Sequence, residues 1–364
     1  MKYLRFLKIL IALILIPHTG ISQQNFSDNL KASANFQYGY SLPEYSFISY
    51  FTDEYISSAE INLIKETSGN SMWENLYKYP EVGLSFYYSN LGNDSLFGRA
   101  YALNYFFKLN LIKRNKFTFF NRTGIGVAYL TKRFDLSSNR SNVAIGSRLN
   151  VHFTLKWGIN YSVSDKWILN SGISLDHFSN GNSRDPNRGL NNLTGYAGVS
   201  YYIGQRTEKK YPKLDSLVKR NYCEIFANIG GKQPRSLTTG FFLTSSLSAS
   251  MTRSVFRAVH FGAGIDLFYD SSVPGVLDRK GEQSRSSDVF QTGLFVSQQF
   301  IYNRFRLGIV EGIYLGLTNK VYNKLIYTKA FAQYIINDRF SMRITMKSHL
   351  HILDYPELGI GIKI

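Results

Sequence analysis

The sequence predicts an all-β protein, a transmembrane antiparallel up-and-down β-barrel with about eight strands in each half of the chain. Three observations favour this class. Segments of about ten residues alternate between apolar and polar side chains, and polar loops separate them. Tyr and Phe are abundant, with 26 and 27 copies, whereas Pro occurs only 8 times. After residue 22, no apolar run is long enough for a membrane-spanning helix. A secreted soluble β-sandwich is the rival, and the number and length of the strands favour the barrel.

The first 22 residues have the pattern of a signal peptide. Basic residues Lys2, Arg5 and Lys8 precede an apolar run over 9–17, and small residues then lead to a cleavage site before Gln23. The apolar run is too short to span a bilayer as a helix. The pattern therefore predicts export of the mature chain.

The remaining chain divides into two similar halves. Residues 23–204 form the first barrel half, 205–220 a polar connector on the periplasmic side, and 221–364 a second barrel half. Strands are expected at about 31–41, 55–65, 80–90, 97–112, 117–131, 143–162, 167–179 and 192–204. In the second half they are expected at about 222–231, 239–251, 255–269, 288–301, 304–317, 323–336, 339–351 and 357–364.

The strand count leaves two architectures open. Eight plus eight strands could close as one barrel of about sixteen strands or as two tandem barrels of eight. Because single-chain barrels of sixteen strands are common, the single large barrel is the favoured prediction.

Loop lengths predict how the barrel is oriented. Residues 113–116 and 163–166 are tight turns, whereas 132–142 and 180–191 are long and polar. Outer-membrane barrels have short periplasmic turns and longer outer loops. With a periplasmic N-terminus, both long loops lie outside and the seventh strand ends at the outer surface.

Charge and cysteine content limit the partners. The formal net charge is +17, of which three positive charges lie in the signal peptide. An exported barrel is not expected to bind nucleic acid, and a surface rich in lipid phosphates is the favoured partner. A merely solvated basic surface is the alternative. Cys223 is the single cysteine, so no internal disulfide can form.

A candidate nucleophile and base lie at the end of the seventh strand. Side chains two apart in a strand share a face, so His177 and Ser179 lie beside Ile173 and Leu175 on a face that suits lipid. Imidazole next to a serine hydroxyl is the minimal pair for nucleophilic ester hydrolysis. The alternative is two polar residues where a strand leaves its sheet.

Other polar residues of the sequence are candidate partners of this pair. Asn191, at the start of the next strand, has the parity that places it on the same face. Asp176 points to the opposite face and is discounted, and His152 and His260 are expected to be packed or lumen-facing. No His/Cys cluster has metal-ligand spacing, so neither a metal nor a cofactor is expected.

The second half of the sequence also resembles a degenerate repeat of the first half. Residues 304–315 echo 116–130, and His349 then falls near the position of His177, with His351 in place of the serine. Chance similarity between strands of like composition is the alternative. If the repeat is real, the copy has lost its nucleophile.

His177-x-Ser179-Asn180, followed by Pro186-Asn187-x-Gly189, resembles the lipid A 3-O-deacylase (PagL-type) outer-membrane barrels. Related chains, often called acyloxyacyl hydrolase-like, carry patterns similar to residues 79–83 and 142–147 here. The resemblance implies a general base at His177, a nucleophile at Ser179 and an oxyanion-site residue at Asn180.

This sequence departs from the family at one position. The family has a glutamate where Asn191 stands here, and Asn191 is the expected orienting residue, with Asp185 as an alternative. An asparagine carbonyl can still orient an imidazole, although it cannot stabilise imidazolium as a carboxylate does.

The implied function is that of an outer-membrane serine esterase without cofactors. It would remove an ester-linked (3-hydroxy)acyl chain from lipid A of lipopolysaccharide in the outer leaflet of a Gram-negative bacterium. The alternative is a non-catalytic barrel, a porin-like channel or a scaffold, which the absent glutamate favours. Five basic residues of the two outer loops are expected to dock lipid A phosphates, or else merely to coat the barrel: Lys132, Arg133, Arg140, Arg184 and Arg188.

Overall fold

The computed structural model describes residues 27–43, 46–52, 54–211, 216–234, 240–315, 321, 324–349 and 352–364. The signal peptide predicted at 1–22 lies outside the described residues. Among the described residues, no helix is both long and apolar enough to cross a membrane.

The first eight strands form one antiparallel sheet in which each strand pairs with its neighbours in sequence. Their bounds are β1 Leu30–Ser41, β2 Ile56–Glu66, β3 Glu81–Asn90, β4 Arg99–Arg114, β5 Phe117–Leu130, β6 Leu149–Ser162, β7 Trp167–Ser179 and β8 Leu190–Tyr202. A short 3₁₀ helix, Ser46–Phe51, lies between β1 and β2. A short helix, α1 (Met72–Leu76), lies in the long segment between β2 and β3.

The second eight strands repeat this plan. Their bounds are β9 Asn221–Lys232, β10 Phe242–Ser254, β11 Val259–Asp270, β12 Phe290–Tyr302, β13 Phe305–Tyr314, β14 Ile326–Ile335, β15 Phe340–His349 and β16 Ile352–Lys363. Helix α2 (Val273–Arg279) and a 3₁₀ helix (Ser286–Val289) connect β11 to β12.

Each half closes on itself, so the preference for one sixteen-stranded barrel was wrong and the tandem alternative is the observed fold. Strand β1 pairs with β8 from Lys31 opposite Tyr202 to Ser41 opposite Asn192. In the second half β16 pairs with β9, with Glu357 opposite Gly230. The predicted all-β class and eight strands per half are confirmed.

The contents of the lumen give the physical reason for the small barrels. An eight-stranded barrel is just wide enough to be filled by side chains. In the first barrel, Glu60 accepts hydrogen bonds from Arg122 at 2.7 and 3.0 Å and from Lys156 at 2.8 Å across the interior. In the second, Lys329 lies 2.6 Å from Asp266. These pairs can meet only across a narrow interior, which suits barrels of eight strands and not one of sixteen. Removing one partner of such a buried pair costs about 3–5 kcal/mol.

The outward faces are apolar. Ile61, Ile125 and Ile173 are 63%, 55% and 52% exposed, and Ile360 on the second barrel is 65% exposed. Alternation of buried polar and exposed apolar residues along each strand is the pattern of a membrane barrel. Both barrels therefore have apolar outer walls around polar, filled interiors.

The two ends of the barrels differ. The loop end of the first barrel carries residues 131–148 and 180–189, and the turn end carries the tight connections 115–116 and 163–166. Strand β6 begins at Leu149, not at 143, because residues 143–148 belong to the long loop and pack against the neighbouring one.

Candidate active site

The candidate site lies on the outer wall of the first barrel at its loop end. His177 and Asn191 are directly opposed in the register of β7 and β8. Their side chains meet, with His177 Nδ1 2.6 Å from Asn191 Oδ1. Because an amide oxygen only accepts, Nδ1 carries the proton and the lone pair of the neutral ring lies at Nε2. The imidazole is thus held in the tautomer that a general base needs.

Ser179 ends β7 on the same face as His177. Both are partly exposed, whereas Asp176 and Phe178 on the opposite face are buried. The sequence prediction that His177 and Ser179 share the lipid-side face therefore agrees with the strand geometry. A hydroxyl and a base lie at the boundary between an apolar wall and a polar loop.

The loop after Ser179 is folded by its own polar groups. The Asn180 backbone N–H donates to Asn187 Oδ1 at 2.8 Å, and Asn180 Nδ2 donates to the Arg184 carbonyl at 2.6 Å. Gly181 and Asn182 have φ of +65° and +62°, a region that glycine and asparagine tolerate best. The backbone N–H and the side-chain amide of Asn180 therefore both donate hydrogen bonds that hold this loop.

Gly189 lets the loop pass close to the imidazole. It has a φ of +73°, and a Cβ there would lie 2.9 Å from His177 Cε1. Any larger residue would both strain the backbone and displace the ring. Gly189 is therefore part of the packing that fixes His177.

The loop 131–148 supports the loop 180–189 from the side. Arg188 N donates to the Ala144 carbonyl at 2.8 Å, and Ile145 forms a bridge with Asn187. Ala144 and Ile145 are fully buried with Phe178 in one apolar cluster. The two long loops therefore form one packed layer over the mouth of the barrel.

Behind the wall, a second histidine occupies the lumen. His152 stacks on Phe178 with ring centroids 4.4 Å apart, and its Nε2 lies 3.1 Å from Asp176 Oδ1. Its Nδ1 lies 3.0 Å from Asn104 Oδ1. His152 is thus packed, as the sequence indicated, and Asp176 partners it instead of His177.

Two family models match the chain in succession. Residues 58–200 match lipid A 3-O-deacylase (PagL), and residues 221–364 match the C-terminal domain of acyloxyacyl hydrolase. The chain belongs to the lipid A 3-O-deacylase family. Members of these families are hydrolases of ester bonds. No protein with a curated description matches the sequence.

Two solved structures are similar to one half of the chain. The outer membrane enzyme PagL covers 46% of this chain and 97% of its own, at 15% identity and a TM-score of 0.32. Neisserial surface protein A covers 48% of this chain and 98% of its own, at 10% identity and a TM-score of 0.34.

The predicted topology placed five basic residues in the two long loops, and all five lie in the loops at this end of the barrel. Lys132, Arg140 and Arg184 are exposed, and Arg133 and Arg188 are partly exposed.

The carboxylate of Asp135 organises the loop 131–148 by accepting hydrogen bonds from the Ser137 and Ser138 hydroxyls. Hydrogen bonds from Ser137, then from the Ser138 backbone, lower the pKa of Asp135.

The similarity between the two halves of the sequence does not extend to the candidate catalytic residues. His349 points into the second lumen, where its Nε2 lies 2.9 Å from the Tyr314 hydroxyl. It therefore does not occupy the outward position that His177 has, and His351 lies outside the described residues. The outward residues near the end of β15 are Met346 and Ser348.

Sequence reasoning missed the contribution of the second barrel to this end of the site. Asn182 Nδ2 donates to the Asp354 carbonyl of β16 at 3.0 Å. Nothing in the spacing of the sequence signals this contact, because it depends on how two separate barrels pack.

Proposed function

We propose that this protein is an outer-membrane serine esterase that removes an ester-linked 3-hydroxyacyl chain from lipid A. The observation that carries the proposal is the 2.6 Å bond between His177 Nδ1 and Asn191 Oδ1, on the same outward face as Ser179. Substrates embedded in a leaflet are reached from the outer wall of a barrel, and that is where this pair lies.

The proposed chemistry has two steps. Ser179 Oγ attacks the ester carbonyl carbon and gives its proton to His177 Nε2. The tetrahedral intermediate expels the sugar oxygen, which takes that proton, and the acyl group stays on Ser179. Water then attacks the acyl-enzyme with His177 again as base, releasing the fatty acid and restoring the hydroxyl.

We assign the orienting role to Asn191 and not to Asp185. The amide oxygen fixes the ring and its tautomer but carries no charge to stabilise imidazolium, so turnover below that of a glutamate-containing site is expected. Asn180 remains the proposed oxyanion donor. In the free structure its Nδ2 donates to the Arg184 carbonyl, so it must exchange that bond when the oxyanion forms.

The basic residues of the two loops are proposed to bind lipid A phosphates. Guanidinium groups bind phosphate with two parallel hydrogen bonds. Exposed Arg184 lies in the same loop as the catalytic Ser179-Asn180 segment, so a bound headgroup would bring its ester towards Ser179.

The non-catalytic alternative of a porin-like channel has less support. Charged side chains bridge the first lumen through Glu60, Arg122 and Lys156, and the second through Asp266 and Lys329. These bonds occupy the space that an open aqueous channel would need.

Mass spectrometry of lipid A tests the proposal. A host with ester-acylated lipid A that expresses the protein is expected to yield a species lighter by one hydroxyacyl chain. Ser179→Ala should abolish that species. Ser348→Ala is a matched control, since Ser348 is also an outward serine near the end of the seventh strand of its barrel. A lighter species that persists in Ser179→Ala would overturn the serine-esterase assignment.

A further inference from the structure

The two barrels contact each other at the turn end. Tyr77, just after α1, stacks on Tyr302 of the second barrel with centroids 4.4 Å apart, and its hydroxyl donates to the Ala258 carbonyl at 3.1 Å. The ring of Phe107, on the outward side of β4, meets Tyr302 edge-on at 5.1 Å. Aromatic side chains therefore pack the barrels side by side at this end.

A second contact joins the barrels at the loop end, beside the candidate site. Asn182 bonds the Asp354 carbonyl, and both residues are buried. Gly181 is also buried, and the position of a Cβ on it lies 3.8 Å from Met346 Cε and 4.0 Å from Leu353 Cδ2. The loop that begins at Ser179 is thus held between its own barrel and β15–β16.

In both barrels, the loop-end contact lies several strands further along the sheet than the turn-end contact. On the first barrel the seam (the line of contact between the barrels) runs from β4 at the turn end to the end of β7. On the second it runs from the β12–β13 turn to β15 and β16. Strands of an eight-stranded barrel tilt by about 35–45°, so a line along the barrel crosses several strands. The seam therefore follows the long direction of both barrels and reaches the loop that follows Ser179.

Met346 and Leu353 are suited to line a groove at the top of this seam. Met346 alternates with the lumen-facing Thr345 and Lys347, so its side chain points outward. Leu353 is paired with the outward Ser348 in the adjacent strand. The side chains of Met346 and Leu353 are partly exposed. Met342, on the same face of β15, is more exposed, at 46%.

We propose that Met346 and Leu353 of the second barrel form the far wall of the acyl-chain groove and so determine which chain lengths Ser179 cleaves. The occupant is the fatty acyl chain of the ester under attack, because the apolar wall is continuous with the loop that carries the nucleophile. The proposal rests on the proposed function. It gives the second barrel a role in substrate selection, although that barrel has no His-x-Ser pair of its own among its described residues.

A flexible methionine and a leucine can adapt to a chain, and their replacement changes the space available to it. In Met346→Trp the larger side chain should block long chains, so that kcat/KM for a palmitate ester falls at least about tenfold relative to a butyrate ester. Leu353→Ala should lower the same ratio about fivefold through lost apolar contact.

The experiment measures kcat/KM for a series of nitrophenyl esters from butyrate to palmitate in one detergent. Met342→Trp is the matched control, because it places the same new side chain on the same face of β15, further from the loop. Its profile should equal that of the wild type. Heat-modifiability on gels verifies that each variant forms its barrels.

Three outcomes separate the two proposals. A changed profile in Met346→Trp and Leu353→Ala but not in Met342→Trp supports the groove. An unchanged profile in both seam variants, with Ser179-dependent hydrolysis intact, overturns the groove and leaves the esterase assignment standing. Absence of any Ser179-dependent hydrolysis in the folded wild type overturns the proposed function and the groove with it.

Discussion

The seventh strand of each barrel ends in a different way. Strand β7 presents His177 and Ser179 outward, and β15 presents Met346 and Ser348 at the comparable place. Ser348 donates a hydrogen bond to the Thr328 carbonyl at 3.3 Å, and its neighbour on the face is a thioether and not a base. The same strand plan thus carries the proposed catalytic pair in one barrel and a largely apolar surface in the other.

This difference shows that the barrel itself does not specify chemistry. Both lumens hold buried ion pairs and a buried histidine, His152 in the first and His349 in the second. The first barrel differs by an imidazole on the outer wall, an amide bonded to it and a glycine that makes room for the loop. Function therefore depends on a few outward residues on a common scaffold.

The largest expected effect is the difference between replacing the outward His177 and replacing His349 in the lumen of the second barrel. His177→Ala should lower deacylation by about 10³-fold or more, because the serine loses its base. His349→Gln should leave the rate essentially unchanged and alter only the thermal stability of its barrel. Rates come from lipid A mass spectrometry over time, and a comparable loss in both variants would remove the distinction between the barrels.

The next effect tests the close approach of the loop to the imidazole. Gly189→Ala should lower activity about 100-fold, because its Cβ would displace the ring and misplacement of about 1 Å has costs of that order. Gly281→Ala is the control for backbone strain, since Gly281 has a nearly equal φ of +74° and a Cβ there meets no described atom within 4 Å. If both variants lost activity equally, backbone strain and not the contact with His177 would be the cause.

A smaller effect is expected at the orienting position. Asn191→Ala should lower kcat/KM about 30-fold because the ring loses its partner. Asn191→Glu restores the family residue and should raise the rate or leave it unchanged. An unaffected Asn191→Ala together with a large loss in Asp185→Ala would transfer the orienting role to Asp185.

The smallest effect concerns headgroup docking. Replacing Arg184 and Arg188 together by glutamine should lower lipid A turnover about fivefold, through lost phosphate bonds, and spare a small soluble ester. Equal losses on both substrates would indicate a damaged catalytic loop. No loss on either would leave these residues as a solvated basic surface.

Much of this fold could be predicted from the sequence, because alternation and loop length are local signals. The shared face of His177 and Ser179 followed from strand parity, and His152 was expected to be packed or lumen-facing. Closure into two barrels could not be predicted, since the pairing of β1 with β8 and of β9 with β16 depends on contacts between residues far apart in the chain.

Two features of the site could not be predicted either, because they depend on tertiary contacts. The bond from Asn182 to Asp354 joins two barrels that no local pattern connects. The occupied donors of Asn180 depend on how the loop folds back on Asn187 and Arg184. Both belong to tertiary packing and not to residue spacing.

Covalent labelling tests most directly the central claim that Ser179 on the outer wall is the nucleophile. The folded protein in detergent is treated with an alkyl fluorophosphonate, which phosphonylates activated serines, and the adduct is located by peptide mass spectrometry. We expect a single adduct on Ser179 that is absent in Ser179→Ala and strongly reduced in His177→Ala, with Ser348 unmodified. An adduct on another residue, or none on Ser179 in a preparation that deacylates lipid A, would contradict the account.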